Sequence, residues 1–355
     1  MQPDFTRSEL KAAIPDNCFK SNTARSMMYV AIDLVLIGAC YFALSYVSAW
    51  YLEAALLFFI GTLCWSIFVL GHEAGHGAFS PSRKINTIMG VLLHGMILVP
   101  YRGWQRSHAL HHGKTGHLRQ EEVYRPSRLG EESLFRKIIF RSGIFVLIGW
   151  PLYKLGFRNV TTYSPVKGSH YLPTSDLYAR HLKWSWVASL AACALFLSIY
   201  LSLGFIFGWG FFAKYIVAPY VIYGAWLVFV TYMHHVSPEV PIYDGSDWTS
   251  LKGALSTVDR NYGVFNWLTH HVGDRHVIHH LFPTIPHYHA AEATDAIRPL
   301  LGELYLSSDR SVLLDFGRTL IGCHFTEPVG GMDQYKSALP FAPNYSDGTE
   351  AAPDQ

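Results

Sequence analysis

Three short histidine clusters carry the chemistry open to this sequence: His72-Glu73-Ala74-Gly75-His76, His108-Ala109-Leu110-His111-His112 and His276-Val277-Ile278-His279-His280. In a helix, residues three and four apart share a face, so each cluster can aim two or three imidazoles at one point. Together they offer eight imidazoles, enough to hold two metal ions. At this histidine frequency about 0.05 copies of H-x-x-H-H are expected by chance, and the chain has two. Burying so many imidazoles without a shared partner would leave polar groups unsatisfied. The isolated His94, His170, His181 and His324 are read instead as hydrogen-bonded core residues.

Something must hold these clusters side by side. Four apolar stretches, Met28 to Val47, Glu53 to Leu70, Trp184 to Gly208 and Phe211 to Met233, are long enough to cross roughly 30 Å of bilayer hydrocarbon. The links Ser48 to Leu52 and Trp209 to Gly210 are short, so the spans pair into two hairpins and leave residues 1–27, 71–183 and 234–355 on one side. Of the 28 Lys and Arg residues, all but Lys214 lie in those three parts, which by the positive-inside tendency makes that side cytosolic. All three clusters then face one compartment. Two further apolar runs, Ile85 to Tyr101 and Ile138 to Gly156, carry His94, Arg141, Pro151 and Lys154 and are expected to lie in or dip into the interface. Asp33 falls inside the first span, where a carboxylate needs either a buried partner or a function.

Composition agrees with this architecture. Half the residues are hydrophobic, 15% are charged and mean hydropathy is +0.16, the profile of an integral membrane protein with sizeable parts outside the bilayer. A net charge of +2 without Lys/Arg-rich runs argues against a nucleic-acid partner. The five cysteines lack C-x-x-C spacing, so neither a disulfide framework nor a thiolate metal site is expected. The first 26 residues are polar and include Asp4, Glu9 and Asp16, unlike a cleavable signal peptide.

Counting ligands narrows the chemistry. A hydrolytic zinc uses three or four ligands, and H-E-x-x-H plus one more residue would complete it, with Glu73 as general base of an intramembrane metalloprotease. That rival leaves both H-x-x-H-H clusters with nothing to bind. An all-histidine, two-metal site beside apolar spans suits redox work on a hydrocarbon, with iron activating dioxygen while the protein excludes water.

The segments around the clusters sharpen this reading. Glu73-Ala74-Gly75-His76-Gly77-Ala78-Phe79-Ser80, Leu98-Val99-Pro100-Tyr101-Arg102-Gly103-Trp104, Ser107 to His112 followed by Thr115-Gly116-His117, Thr257-Val258-Asp259-Arg260 and His279-His280-Leu281-Phe282-Pro283-Thr284-Ile285-Pro286-His287-Tyr288 resemble the membrane fatty acid desaturases. The likeness is to their methyl-end group and spans roughly residues 10 to 305. It implies an all-α integral membrane protein: four transmembrane helices in two hairpins and a cytosolic helical cap carrying a histidine-ligated dimetal site. The expected organisation is an N-terminal segment 1–27, a desaturase domain 28–326 and a flexible tail 327–355, loose because of Gly330-Gly331 and later prolines.

Carried over position by position, the family's ligands correspond to His72, His76, His108, His111, His112, His276, His279 and His280. A ninth is expected between the second and third clusters: His235, at the end of the fourth span, with His270, His271 and His234 as competitors. Glu73 and Asp274 are candidates to orient ligands through their free N–H groups. Departures from the family pattern, such as Ala74 where cysteine is common, remove no ligand.

The resemblance implies O2-dependent insertion of a cis double bond into an acyl lipid or acyl-CoA, with two iron ions. Delta-12 action on oleoyl chains is taken first, with omega-3 action, or acetylenase or hydroxylase chemistry of the same family, as alternatives. Electrons are expected from cytochrome b5 and its NADH-dependent reductase in the endoplasmic reticulum, or from a ferredoxin. Arg102, Arg106, Lys114 and Arg119 would form an acid-accepting docking face.

Overall fold

The computed structural model describes residues 3–157, 166–178 and 183–338, and they are mostly helical. Among the described residues, four helices are long and apolar enough to cross a membrane: α1 (Thr23–Leu44), α2 (Trp50–His76), α7 (Lys183–Phe207) and α8 (Trp209–His235). Between them lie α3 (Arg83–Met96), α4 (Tyr101–Lys114), α5 (Leu134–Arg141) and α6 (Phe145–Leu155), and after them α9 (His276–Leu281), α10 (His287–Leu301) and α11 (Val312–Gly322). The chain is therefore an integral membrane protein with its spans in two hairpins, as the apolar runs indicated. In its most apolar window α2 is 67% buried, whereas the equivalent figure for α1 and α7 is 11%. The second span is thus the central post, and the first and third present apolar side chains to lipid.

The second and fourth spans run past the apolar stretches read from sequence, and the extra turns carry function. The second continues six residues beyond Leu70 to bring His72 and His76 onto one face, then stops at Gly77, whose φ of +78° closes the helix in the left-handed region. Gly75 serves packing instead. A Cβ there would stand 2.8 Å from the Trp104 ring, so only glycine lets that indole pack against the first cluster. The fourth span continues to His235.

The run expected to dip into the interface around Ile85 to Tyr101 is a bent pair. The helices α3 and α4 meet at 104°, and α4 carries the second cluster. Pro100 discourages a helix through the preceding residue, and Leu98 takes a φ of +55°. Non-helical backbone at membrane depth is tolerated only when protein satisfies it. Here Tyr200 Oη donates to Met96 O at 2.6 Å, while Lys154 Nζ and Tyr171 Oη donate to Leu98 O at 3.1 and 2.8 Å. The buried Lys154 on α6 thereby fixes the bend from which the second cluster projects. The second such run, Ile138 to Gly156, likewise divides into α5 and α6, with Gly143 at a φ of +73° between them.

Asp33 has the buried partner its position requires: its Oδ2 lies 2.8 Å from His270 Nε2, tying the first span to the polar cap. The N-terminal segment is no separate unit. A Thr6 capping box starts a helix at Arg7–Ala13, Leu10, Ile14 and Cys18 pack with Val277, Ile278 and Leu281, and Arg7 Nη1 donates to Leu281 O at 2.7 Å. The loose end expected from Glu327 is corrected in part. Strands Phe325–Val329 and Met332–Lys336 pair antiparallel, and Gly330 and Gly331, both at positive φ, form the tight turn between them. Residues 339–355 lie outside the described residues, as does His181.

Candidate metal centre

Nine imidazoles converge where α2, α4, α8 and α9 meet. Five of them, His72, His76, His108, His112 and His279, have ligand atoms within 4.8 Å of one another, as do His111, His235 and His280. His276 joins the second group, its Nε2 lying 3.3 Å from that of His235 and 3.1 Å from that of His280. The second cluster thus divides its imidazoles, with His108 and His112 on one side and His111 on the other.

In the first group four Nε2 atoms form a closed ring: His72 to His108 2.9 Å, His108 to His112 3.0 Å, His112 to His279 3.0 Å and His279 to His72 3.1 Å. Hydrogen bonding cannot account for it. A neutral imidazole carries one N–H, so at most two of the four edges can be hydrogen bonds. Corners of a square with these edges lie about 2.1 Å from its centre, a normal nitrogen-to-metal distance. His76 Nε2, the fifth member, is buried and has no hydrogen-bond partner, as a nitrogen reserved for a cation would be. The second group shows the same spacing, with His111 Nε2 3.2 Å from His235 Nε2. The donor set therefore fits two metal ions.

Electrostatics keep these nitrogens available. Burial, followed by the neighbouring imidazoles, holds His276, His279 and His280 well below the ordinary histidine value. They stay neutral, the form a metal requires.

The acidic groups that orient the site are ones the sequence did not single out. Glu121 is buried, and its Oε1 takes the Nδ1–H of His111 at 2.7 Å, fixing that ring with Nε2 toward the centre. The same carboxylate accepts from the main chain of Gly116, Glu122 and Val123. Asp259 accepts from the backbone N–H of His276 and Val277 at 2.6 and 2.8 Å and from Tyr305 Oη at 2.7 Å, capping the first turn of α9. Burial pushes its carboxyl up to about 7 against the downward pull of these donors. The available signals were slight: an acidic pair following the second cluster, and the aspartate of Thr257-Val258-Asp259-Arg260.

Glu73 and Asp274, the two carboxylates expected to orient ligands, do other work. Glu73 accepts from both the backbone N–H and the Nδ1 of His287, which secures the start of α10. Committed there, it is not placed as the general base of a metalloprotease. Asp274 pairs with His271 Nδ1 at 3.1 Å. Of the competitors for the ninth position, His270 is held by Asp33, and His271 by Asp274. His234 donates from Nδ1 to Val258 O at 2.7 Å and stacks 4.0 Å from the His276 ring, supporting that ring from behind. The isolated histidines behave as core residues: His94 and His324 bond the carbonyls of Phe68 and Leu320, and His170 is buried against the Tyr153 ring. The basic face around the second cluster is partly engaged: Arg119 pairs with Asp244, Lys114 lies over Trp248, and Arg102 binds Gln105 and Thr87.

Beneath the imidazoles lies an apolar cavity walled by residues such as Trp65, Phe68, Phe145, Trp150 and Leu227. His72, His108, His111, His235 and His276 all border it. A hydrocarbon chain in this cavity would lie against both imidazole groups, shielded from water by aromatic walls.

Glu121→Gln is expected to lower metal occupancy and turnover by roughly 10–100-fold, the usual cost of losing an outer partner. Iron content per chain and turnover measured together would test this. An unchanged iron content would mean that Glu121 only braces the loop.

Comparison with known proteins gives a consistent picture. Residues 48–310 match the family described as Fatty acid desaturase. The chain is 40% identical over 337 residues to the sn-1 acyl-lipid omega-3 desaturase (ferredoxin) of Synechocystis sp., covering 94% of this chain and 91% of that protein. It is 37% identical to the chloroplastic omega-3 fatty acid desaturase of Glycine max, covering 94% and 75%. It is 40% identical to the acyl-lipid omega-3 desaturase (cytochrome b5), endoplasmic reticulum, of Arabidopsis thaliana, covering 86% and 78%.

Proposed function

We propose an omega-3 reaction from one premise: this chain belongs to the fatty acid desaturase family. It is an oxidoreductase acting on fatty acyl chains. Our reading is that it inserts a cis double bond at the omega-3 position of a linoleoyl chain carried on a membrane lipid. The observation that carries this choice is the shared omega-3 name of relatives 37–40% identical across most of the chain. Delta-12 action, the first expectation from sequence, has no such support among them.

The proposed ligands are His72, His76, His108, His112 and His279 for one iron and His111, His235, His276 and His280 for the other. Iron held by these imidazoles would supply the activation of dioxygen needed to take two hydrogens from adjacent methylenes, with water as the reduced product. The chain's own residues do the rest. The apolar cavity holds the acyl chain against both groups and excludes water, while Glu121 and Asp259 keep His111 and the α9 turn in register. The two electrons come from a small redox protein, and relatives' names include both ferredoxin and cytochrome b5. Residence in the endoplasmic reticulum goes with the second donor.

Expression in a yeast without polyunsaturated lipids, supplied with linoleate and with or without a co-expressed ferredoxin, tests the reading. Gas chromatography is expected to show linoleate converted to the omega-3 triene while oleate persists. New linoleate in unfed cells would replace this reading with delta-12 desaturation. Conversion only with ferredoxin present would identify the donor class.

A further inference from the structure

A second pocket lies beside the acyl cavity and shares Tyr124 and Phe140 with it. Its character is the opposite. Arg125, Arg136, Lys137 and Arg141 line it, with Glu132 as the carboxylate among its lining residues. Glu132 stands 3.7 Å from Arg136 Nε, and Lys137 and Arg141 bring further positive charge to the pocket.

Its depth is set by the neighbouring elements. Tyr232, on its wall, lies three residues before the end of the fourth span. Helix α5, which supplies Arg136, Lys137 and Arg141, also exposes Leu134, Phe135 and Ile138 at 74, 58 and 58%. Helix α11 exposes Leu313 and Leu314. Short helices with apolar residues turned outward beside basic ones lie at the level of lipid headgroups. The pocket is therefore cationic, at headgroup depth, and next to a cavity shaped for hydrocarbon.

Resting on the desaturase reading above, we infer that this pocket binds the phosphate of the substrate glycerophospholipid, with Lys137 and Arg141 as its more accessible cations. An apolar cavity alone cannot distinguish lipids that carry the same acyl chain. Guanidinium and ammonium groups beside it can, because they pair with a phosphate diester and not with a neutral sugar. The pocket would thus select the headgroup while the cavity selects the chain.

The test reconstitutes full-length enzyme with its electron donor in nanodiscs, offering linoleoyl chains on phosphatidylglycerol, on a neutral glycosyl diacylglycerol, or as linoleoyl-CoA. The wild type is expected to prefer phosphatidylglycerol. In the Lys137→Gln/Arg141→Gln double variant the kcat/KM ratio of phosphatidylglycerol to neutral lipid should fall about tenfold, through KM. Lys137→Arg/Arg141→Lys should retain the preference. Turnover of the neutral lipid reports on the desaturase reading itself, so failure of that reading would be seen separately. Equal use of both lipids by the wild type, or equal losses on both in the Gln variant, would overturn the inference. Preference for linoleoyl-CoA over either lipid would assign these cations to a nucleotide phosphate and overturn the lipid assignment.

Discussion

Replacing His279 with alanine is expected to abolish desaturation and to strip metal from the protein while leaving its membrane insertion intact. The side chain closes the ring of four nitrogens, at 3.1 Å from His72 and 3.0 Å from His112. Its loss opens the ring on the side facing α9, and no other described side chain is placed to fill the gap. The loss should exceed the roughly 10–100-fold that follows removal of an outer partner. The spans do not depend on this residue, which lies in a six-residue helix of the cap. His94→Asn makes a demanding control. That ring is also buried against α2, stacked on Phe68 with Nε2 3.2 Å from Phe68 O, but it belongs to neither imidazole group. Iron content and product formation should therefore separate the two variants. Full activity of His279→Ala would remove the ligand assignment.

The contrast between His279 and His94 shows what could be read from the sequence. Spacing alone set the clustered imidazoles apart from the isolated ones, because i, i+3 and i+4 positions converge on any helix. The placement of His235 beside the clustered imidazoles was legible for a related reason: an apolar run long enough to span ends there, at the depth where the first cluster emerges from its own span. Orientation by carboxylates was not legible. Glu73 and Asp274 are neighbours of clustered histidines in the chain, yet their partners are His287 and His271. Glu121 reaches His111 from ten residues away, across a turn whose path follows from its own backbone hydrogen bonds. Proximity in sequence is a poor guide to such contacts once loops fold back.

The bend between α3 and α4 failed to show itself for a similar reason. Hydropathy identified a run too short to span, but the 104° turn depends on Lys154, Tyr171 and Tyr200, all distant in sequence, supplying donors to the carbonyls at its tip. Lys154 looked like a charge that kept its segment out of the membrane. In the fold it is what allows irregular backbone to sit there. The same logic corrects the C-terminal boundary, where Gly330 and Gly331 serve a hairpin turn whose second strand bonds Ile242 through Asp333.

Asp315→Ala is expected to be the most destabilising single change outside the imidazole groups, at about 3–5 kcal/mol, the cost of leaving one member of a buried ion pair alone. Asp315 and Arg260 are each 3% exposed and in direct contact. Arg260 also donates to Met233 O at 2.9 Å and to Ser237 Oγ at 3.0 Å, so it clamps the last turn of the fourth span, which presents His235. Asp315 in turn accepts from Ser308 Oγ and Arg318, joining α11 to the same clamp. Without the carboxylate, a guanidinium remains in a site it cannot leave, one residue from Asp259 and its cap on the third cluster. Thermal unfolding in detergent should show the loss as a lowered midpoint, with metal released at the same transition. Because the penalty comes from the stranded charge, the double variant Asp315→Leu/Arg260→Met should recover much of the stability. An unaltered midpoint in Asp315→Ala would show that water or Glu239, which already reaches Arg318, can take over the charge. A double variant no better than the single one would show that the clamp acts through its hydrogen bonds to Met233 and Ser237, and not through charge balance.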